Sequence, residues 1–465
     1  MKEQDKRFVG SWWRAGDREH QVGGILEIDD VGRCRLELVG SLLDHHETQV
    51  LIHGKASGRS ITVLNASPSN GGQTVIGQEH TETQVLRADA VLVGIHMDSE
   101  DDAVFDSMCV SIANLTAWAG RSAFENIDTY EKDTLKFKRA EFKFEPIEDI
   151  AMEISERSEF VHFRWCMRGN SIQNHGSYRE YRAREAVKVE VRADEPRNWM
   201  GYWRTVSDVQ DLLTIATQGP CLASSLELKI EQDKGPAHTI DLHFHSGRTG
   251  QSADKADIDK FLFVLSDLEI DLVVNRWIKL KETIGLPLNV LLGLDYDPSG
   301  YYENQIFNAA SAAEGFHQAL RPNSVSLDVG VHESIVKAVK NQFSGDELAW
   351  ISPRIGENRP GLKQRYIELA EIPDSEAVTK LVNDVEVWAK WLKNARNAIG
   401  HLNTGELDKK VPEAARFRLT YITKALLHLV IMNEIGVGEE KQREAVQNVW
   451  WFSSKRFGEA VRSSI

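Results

Sequence analysis

The sequence has little cysteine, and its four cysteines are far apart. Cys34, Cys109, Cys166 and Cys221 form no C-x-x-C pair, so the sequence supports neither a zinc ribbon nor a disulfide framework. It also lacks a Walker-type phosphate loop, a G-x-S-x-G elbow and an H-E-x-x-H helix. These motifs mark many ATPases, serine hydrolases and zinc proteases. We therefore expect a protein that uses no metal and no cofactor.

Long apolar runs are also absent. No stretch reaches the roughly 18 apolar residues that a membrane-spanning helix needs. The first residues, Met1–Lys6, lack the apolar core of a signal peptide. We expect a cytoplasmic protein that does not bind membranes.

Basic residues are outnumbered in the first two thirds of the chain. The formal net charge is −15, yet residues 301–465 contain 21 Lys/Arg and 21 Asp/Glu. The acidic excess therefore lies in residues 1–300. Because neutralising phosphates requires clustered Lys and Arg, we expect any RNA to bind to the C-terminal part.

Two hydrophobic periods divide the 465 residues. The first 250 residues show many short alternating segments, such as the hairpin of Ile25–Ile28 and Arg33–Val39, with helices predicted only at Val104–Gly120 and Ser207–Thr217. From about Ile258 the period becomes helical. We predict an α+β protein with a β-rich, sandwich or barrel-like sensor or regulatory domain at 1–257, a helical connector at 258–299 and an all-α bundle at 300–465.

The clearest periodic segment runs from Ser375 to Ile399. Ser375 is the predicted N-cap, and one apolar seam steps by three and four along the segment: Val378, Leu381, Val385, Trp388, Leu392, Ala395 and Ile399. At about 100° per residue, Asn397 and His401 lie opposite this seam and Arg396 lies on its shoulder. We expect three further polar residues in the second half of this stretch to support RNA binding: Lys390, Lys393 and Asn394.

Arg396, Asn397 and His401 have the residue types that cleave RNA without a metal. A histidine titrates near neutrality and can act as base or acid toward the ribose 2′-OH and the leaving oxygen. Arginine stays charged and presents a planar fork to phosphate oxygens. Asn397, one turn before His401, can orient the imidazole. The expected product is a 2′,3′-cyclic phosphate.

The predicted orientation turns this polar face away from the core of a single subunit. Catalysis requires a cleft that surrounds the phosphate and excludes bulk water. A second copy packed about a two-fold axis would supply the other wall, and Gly400 would let another backbone approach closely. We therefore expect a homodimer or larger homo-oligomer with a composite site.

A second Arg-x4-His match occurs at Arg157 and His162, and we interpret it as a chance match. Phe160, His162 and Arg164 alternate with apolar neighbours, which is a strand period. Five strand residues span about 16 Å, too far for both ends to meet one phosphate.

Arg-x4-His with a polar second residue, at the end of a bundle helix, resembles the hallmark of HEPN domains, which are small α-helical dimeric ribonucleases. Ile61–Leu64, Ala90–His96 and Phe105 in the strand-rich part, and Glu314 and His317 ahead of Arg396–His401, are similar to the ApeA family. The resemblance covers most of the chain. It implies an anti-phage abortive-infection factor whose HEPN nuclease attacks host or phage RNA in response to a phage-derived trigger.

Three alternatives stay open from the sequence. Glu314 and His317, an i,i+3 pair, either face the site and orient Arg396 or form a surface pair. The bundle is either a ribonuclease or a catalytically silent HEPN scaffold whose N-terminal domain recognises a phage or host partner. A ligand-binding β-sandwich with an oligomerising tail is the third possibility.

Overall fold

The change of hydrophobic period near residue 258 coincides with a division of the chain into two units. The computed structural model describes residues 6–44, 46–69, 83–131, 135–250, 257–297 and 299–463. One unit is Met1–Ile258 with Val264–Asp271, and the other is Asp259–Phe263 with Leu272–Ile465. The second unit thus includes most of the segment that the sequence assigned to a connector.

The first unit is built from strands and two helices. Its strands are β1 (Lys6–Arg14), β2 (Val22–Ile28), β3 (Cys34–Val39), β4 (Val50–Ala56), β5 (Arg59–Pro68), β6 (Thr83–Ala88), β7 (Ala90–Val93), β8 (Phe105–Ile112), β9 (Phe124–Tyr130), β10 (Phe137–Phe144), β11 (Ile150–Ile154), β12 (Glu159–His175), β13 (Tyr178–Arg197), β14 (Ala223–Ile230) and β15 (His238–Phe244). The helices are α1 (Leu115–Trp118) and α2 (Trp199–Thr217).

Six of these strands close into a barrel. In the order β5-β4-β1-β2-β3-β6 each strand pairs with the next, and β6 pairs back onto β5. In β3, Cys34, Leu36 and Leu38 point into the core while Arg35 and Glu37 are exposed, as the alternation in the sequence predicts. The remaining strands extend the sheet from β5 in the order β7-β15-β14-β8-β13-β12-β11, and β9 and β10 form a separate hairpin. The β-rich prediction is confirmed.

The helix predicted at Val104–Gly120 is wrong. Residues Phe105–Ile112 form β8, and only Leu115–Trp118 are helical. Strand β8 lies between β13 and β14, so both of its edges are hydrogen-bonded. Most residues of β8 are buried on both faces, and Asp106, Ser107 and Ser111 interrupt the apolar residues irregularly, so the segment lacks the two-residue alternation of a half-buried strand.

The second unit is helical, as predicted. Its helices are α3 (Ile270–Ile284), α4 (Leu286–Tyr296), α5 (Tyr302–Leu320), α6 (Val329–Gln342), α7 (Gly345–Ile355), α8 (Leu362–Ala370), α9 (Ser375–Val382), α10 (Val385–Gly400), α11 (Thr404–Lys410), α12 (Glu413–Ile435), α13 (Glu439–Asn448) and α14 (Trp451–Arg462). Helices α8, α10 and α12 pack on α5, whose facing side chains are largely alanine. Within the described ranges, no helix combines the length and apolar character needed to cross a membrane.

The single helix predicted over Ser375–Ile399 is two helices. The chain breaks at Asn383, whose φ is 60°, and at Asp384, whose side chain accepts a hydrogen bond from the Val387 N–H at 3.0 Å. Asp384 is therefore the N-cap of α10. Asp374, rather than Ser375, caps α9 by accepting from the Ala377 N–H at 2.8 Å. The apolar spacing continues across the break, which is why periodicity alone does not reveal it.

Asp374 also joins α9 to α13, and this contact makes stability depend on pH. Both carboxylate oxygens accept from Arg443 at 2.9 Å, and this pairing holds the pKa of Asp374 below its ordinary value of 3.8. The ion pair therefore stabilises the fold fully above about pH 4 and is lost as the pH falls through the lower folded pKa.

We expect Asp374→Asn, which retains a capping oxygen, to lower the free energy of unfolding by about 1–2 kcal/mol at pH 7. The difference from the parent should shrink towards pH 3, as measured by thermal unfolding of both proteins across that range. Glu376→Gln, a neighbouring exposed carboxylate that also approaches Arg443, is the control and should change stability much less. A pH-independent difference for Asp374→Asn would contradict the ion-pair explanation.

Candidate active site

The backbone at the end of α10 fixes where His401 lies. The N–H of Leu402 donates to the Ile399 carbonyl at 2.9 Å, and that of Asn403 donates to the Ala398 carbonyl at 2.8 Å. These two bonds form a Schellman end, which requires a left-handed residue at the position after the C-cap. Leu402 occupies that position with φ 53°, and His401 is the C-cap. Asn403 then caps α11 by accepting from the Glu406 N–H.

Leu402 is an unusual residue for this position. A side chain in the left-handed region costs roughly 1–2 kcal/mol, and glycine avoids that cost. The leucine is also 91% exposed. An apolar side chain immediately after His401 is thus presented to solvent by a locally unfavourable backbone.

One face of α10 is polar and open to solvent. Its members, which we call the α10 polar strip, are Lys390, Lys393, Asn394, Asn397 and His401; Lys390 and His401 are exposed, and the others are partly buried. The opposite face contributes Trp388, Leu392 and Ala395 to the core, as the sequence predicts. Among the described residues, neither lysine forms an ion pair, so the strip carries uncompensated positive charge.

Arg396 lies beside this strip and turns towards α5. Its guanidinium is 3.4 Å from the Glu314 carboxylate and 5.8 Å from the centre of the Phe307 ring. Its Nε is buried and has no hydrogen-bond partner among the described residues. The side chain as a whole is 35% exposed. Arg396 is therefore held in place from one side while part of its fork faces solvent.

Gly400 has a reason within this chain to be glycine. A Cβ at this position would lie 3.3 Å from the Phe307 ring, a tight but not prohibitive distance. The sequence suggested instead that Gly400 admits a second backbone. The close neighbour that the structure gives Gly400 is the Phe307 ring on α5.

Glu314 is shared between two arginines. Arg365 of α8 donates to it at 2.8 Å, a shorter contact than the 3.4 Å to Arg396. Arg365 also donates to the Pro360 carbonyl. One carboxylate against two guanidinium groups leaves a net positive charge here. Because Arg396 has the weaker hold on Glu314, an incoming phosphate oxygen can compete for its fork.

His317 has different surroundings from Glu314. It is 2% exposed, and its Nε2 donates to the Glu368 carboxylate of α8 at 2.7 Å. Burial raises the pKa of Glu368, but hydrogen bonds from Ser324 and His317 outweigh burial and the pKa is lowered overall. His317 therefore joins α5 to α8 and does not reach solvent.

The sequence did not identify Arg365 or Phe307. Glu314 pairs with Arg365, and His317 pairs with Glu368, so the i,i+3 spacing on α5 is matched by the same spacing on α8. That matched spacing is the one signal in the sequence that could have indicated Arg365. It can be interpreted only when α5 and α8 are known to be neighbours. No comparable signal marks Phe307.

Among the described residues, no hydrogen bond joins Arg396 to His401. The Asn397 carbonyl accepts from the His401 N–H at 3.0 Å, which is a helical backbone bond. One subunit thus offers a positioned arginine and an exposed histidine at one helix end. A single subunit does not place the two side chains around a common cleft.

The second Arg-x4-His match has a structural role. Arg157 donates to Asp208 at 2.7 Å and to Thr205 at 2.9 Å on α2, with 11% of its side chain exposed. His162 lies in β12, as the strand period predicts. Arg157 therefore anchors a helix to the sheet.

Two family comparisons agree with this arrangement. Residues 7–277 match the family described as ApeA N-terminal domain 1, and residues 307–441 match the family described as Apea-like HEPN. A β-rich unit followed by a HEPN bundle is thus the class of protein that the fold and the helix end define. The chain belongs to the ApeA family, a family of HEPN-type anti-phage nucleases. No curated protein and no solved structure matches the chain.

Proposed function

We propose that this protein is a metal-independent endoribonuclease that acts in anti-phage abortive infection. The observation that carries the proposal is the end of α10, where Glu314 and Phe307 hold Arg396 while His401 is exposed at the helix cap. The two lysines of the α10 polar strip supply further positive charge for the RNA backbone. The N-terminal unit would sense a phage-derived trigger or regulate cleavage.

The proposed chemistry assigns one role to each motif residue. His401 takes the proton from the ribose 2′-OH or gives a proton to the departing 5′-oxygen. Arg396 binds the non-bridging oxygens as negative charge grows on the phosphorus. Asn397 orients the imidazole or bonds a phosphate oxygen. The 2′-oxygen forms a bond to phosphorus while the bond to the 5′-oxygen breaks, which leaves a 2′,3′-cyclic phosphate and a 5′-hydroxyl.

We infer that two copies of the chain form the site. One subunit offers a held arginine and an exposed histidine that do not surround a common cleft. A second α10 placed about a two-fold axis supplies the other wall of the cleft, so that His401 of one subunit meets the phosphate that Arg396 of the other subunit binds. The exposed Leu402 gives that contact apolar surface to bury.

We expect purified protein to cut single-stranded RNA equally well in EDTA and in magnesium. The fragments should carry 2′,3′-cyclic phosphate and 5′-hydroxyl ends, because the nucleophile is the neighbouring ribose oxygen. End-group mapping by mass spectrometry and by kinase labelling measures this outcome. An RNA whose ribose carries 2′-O-methyl at every position is the matched control and should stay intact. Cleavage that needs magnesium, or 5′-phosphate ends, would contradict the mechanism.

A further inference from the structure

Strands β12 and β13 form a hairpin that continues past its neighbours in the sheet. Strand β11 pairs with β12 only as far as Phe163, and β8 pairs with β13 only from Val189 onward. The outer part of the hairpin that lies beyond these pairings, residues 168–184, is hereafter the hairpin arm. Within the described residues, β12 and β13 pair only with each other along this arm.

Two arginines lie directly opposite each other on the hairpin arm. Arg168 and Arg184 are partners in the antiparallel register, and both are exposed. Directly opposed side chains lie about 5 Å apart at their Cβ atoms, and like charges at that separation destabilise a sheet. Neither arginine forms an ion pair among the described residues. This pair therefore favours an anion from outside the chain.

The same face carries a third arginine and a ring platform. Arg182 lies two residues from Arg184 on β13. It forms an ion pair with Glu180 at 2.9 Å, which neutralises part of the charge of Arg182. At the tip of the arm the rings of His175 and Tyr178 stack, with centres 4.5 Å apart and planes 22° from parallel. Both residues are exposed. The arm thus has aromatic surface at its tip and guanidinium groups along its length.

The other face of the arm contacts the β9–β10 hairpin. Tyr181 packs edge-to-face against Phe142 of β10, with ring centres 6.2 Å apart. Glu185, on the same side of β13, accepts from Ser122 at 2.6 Å. Because side chains alternate along a strand, Arg182 and Arg184 project from the opposite, open face.

We propose that the open face of the hairpin arm binds single-stranded RNA. The choice of RNA as the ligand rests on the ribonuclease function proposed above. The opposed arginines and the stacked rings are observed independently of that proposal. Side chains two apart on a strand are about 6.8 Å from each other, a separation comparable with that of neighbouring phosphates in an extended strand. Arg182 and Arg184 are therefore spaced to contact consecutive phosphates. A base stacks on the ring platform, which a paired base inside a duplex cannot do.

This surface departs from what the overall charge predicts. The acidic excess of residues 1–300 led us to expect RNA only on the C-terminal part. The open face of the arm carries Arg168, Arg182 and Arg184 and one carboxylate, that of Glu180, and binding depends on local rather than average charge.

The test uses the full chain carrying His401→Ala, so that RNA is not cut during the measurement. Fluorescence anisotropy with a labelled 20-nucleotide oligouridine gives the affinity at several salt concentrations. R168A/R184A should weaken binding about tenfold or more and reduce the slope of log K against log salt by about 0.7, because the facing pair holds one phosphate. Tyr178→Ala should weaken binding about tenfold through lost stacking.

Arg179→Ala is the matched control for Arg184→Ala. It removes one exposed arginine from the same strand, but from the face that carries Tyr181, and should change affinity less than twofold. Thermal unfolding of each variant confirms that the altered side chains leave the fold intact. Unchanged affinity and salt slope in R168A/R184A would overturn the proposal, as would equal losses in Arg184→Ala and Arg179→Ala.

Two further ligands test which kind of nucleic acid the open face binds. An RNA duplex or a DNA strand of the same length that binds as tightly as oligouridine overturns the assignment to single-stranded RNA. A different result would refute the ribonuclease proposal alone. Parent protein that binds oligouridine through this face yet never cuts RNA refutes the cleavage proposal and leaves the binding face supported.

Discussion

His401→Ala should reduce RNA cleavage by about a thousandfold, because general acid–base catalysis by a positioned side chain contributes roughly 10²–10⁴. His401 is the C-cap of α10 and is exposed, so its removal leaves no cavity and exposes no buried partner. Stability should therefore stay within about 0.5 kcal/mol of the parent. Single-turnover cleavage of a fluorescent RNA measures the rate, and thermal unfolding measures the stability.

A surface histidine of the other unit provides the control. His20→Ala changes an exposed residue on a turn of the β-rich unit and should leave cleavage unchanged. Full cleavage by His401→Ala would show that this histidine is not the base or the acid. Parent protein with no cleavage under any condition would favour the non-catalytic scaffold, in which the N-terminal unit recognises a partner.

Arg396→Ala should lower cleavage by about 10²–10³, since it removes a charged donor from the transition-state phosphate. Mixing it with His401→Ala should then restore activity. In a freely exchanging mixture about half of the pairs are hybrids, and each hybrid holds one Arg396 and one His401. A pair formed by either variant alone lacks one of these two residues. The rate of the mixture against that of each variant alone, at equal total protein, measures the restoration.

The controls for this experiment are the separate variants at doubled concentration, which should stay inactive. Size-exclusion chromatography with light scattering establishes that the subunits associate and exchange. Restoration fails if each site is complete within one subunit, because no hybrid then contains an intact site. If subunits exchange and the mixture is still no more active than its components, the composite-site proposal is contradicted.

The fold was largely predictable because both units use regular periods. The alternation in β3 and the helical spacing of Trp388, Leu392 and Ala395 translate directly into buried faces. Strand β8 was misassigned because it is buried on both faces and therefore lacks the two-residue alternation of a half-buried strand. The break before α10 was missed because Asn383 and Asp384 interrupt the backbone without interrupting the apolar spacing.

The candidate site was predictable in its local part only. Positions of Arg396, Asn397 and His401 on one helix follow from helical geometry. Contacts between helices do not, so neither the sharing of Glu314 with Arg365 nor the burial of His317 followed from spacing along α5. The left-handed Leu402 was equally hidden, since glycine or asparagine is the usual signal for that turn.

The turn at Leu402 has a consequence for how activity should depend on protein concentration. An isolated subunit bears the cost of the left-handed leucine and of its exposed surface. Association that covers this side chain recovers hydrophobic free energy beside His401. Under the composite-site proposal, dilution below the dissociation constant should therefore lower the rate per subunit, and cleavage should rise with the square of the protein concentration in that range. The level of expression in the cell would then set a threshold for toxicity.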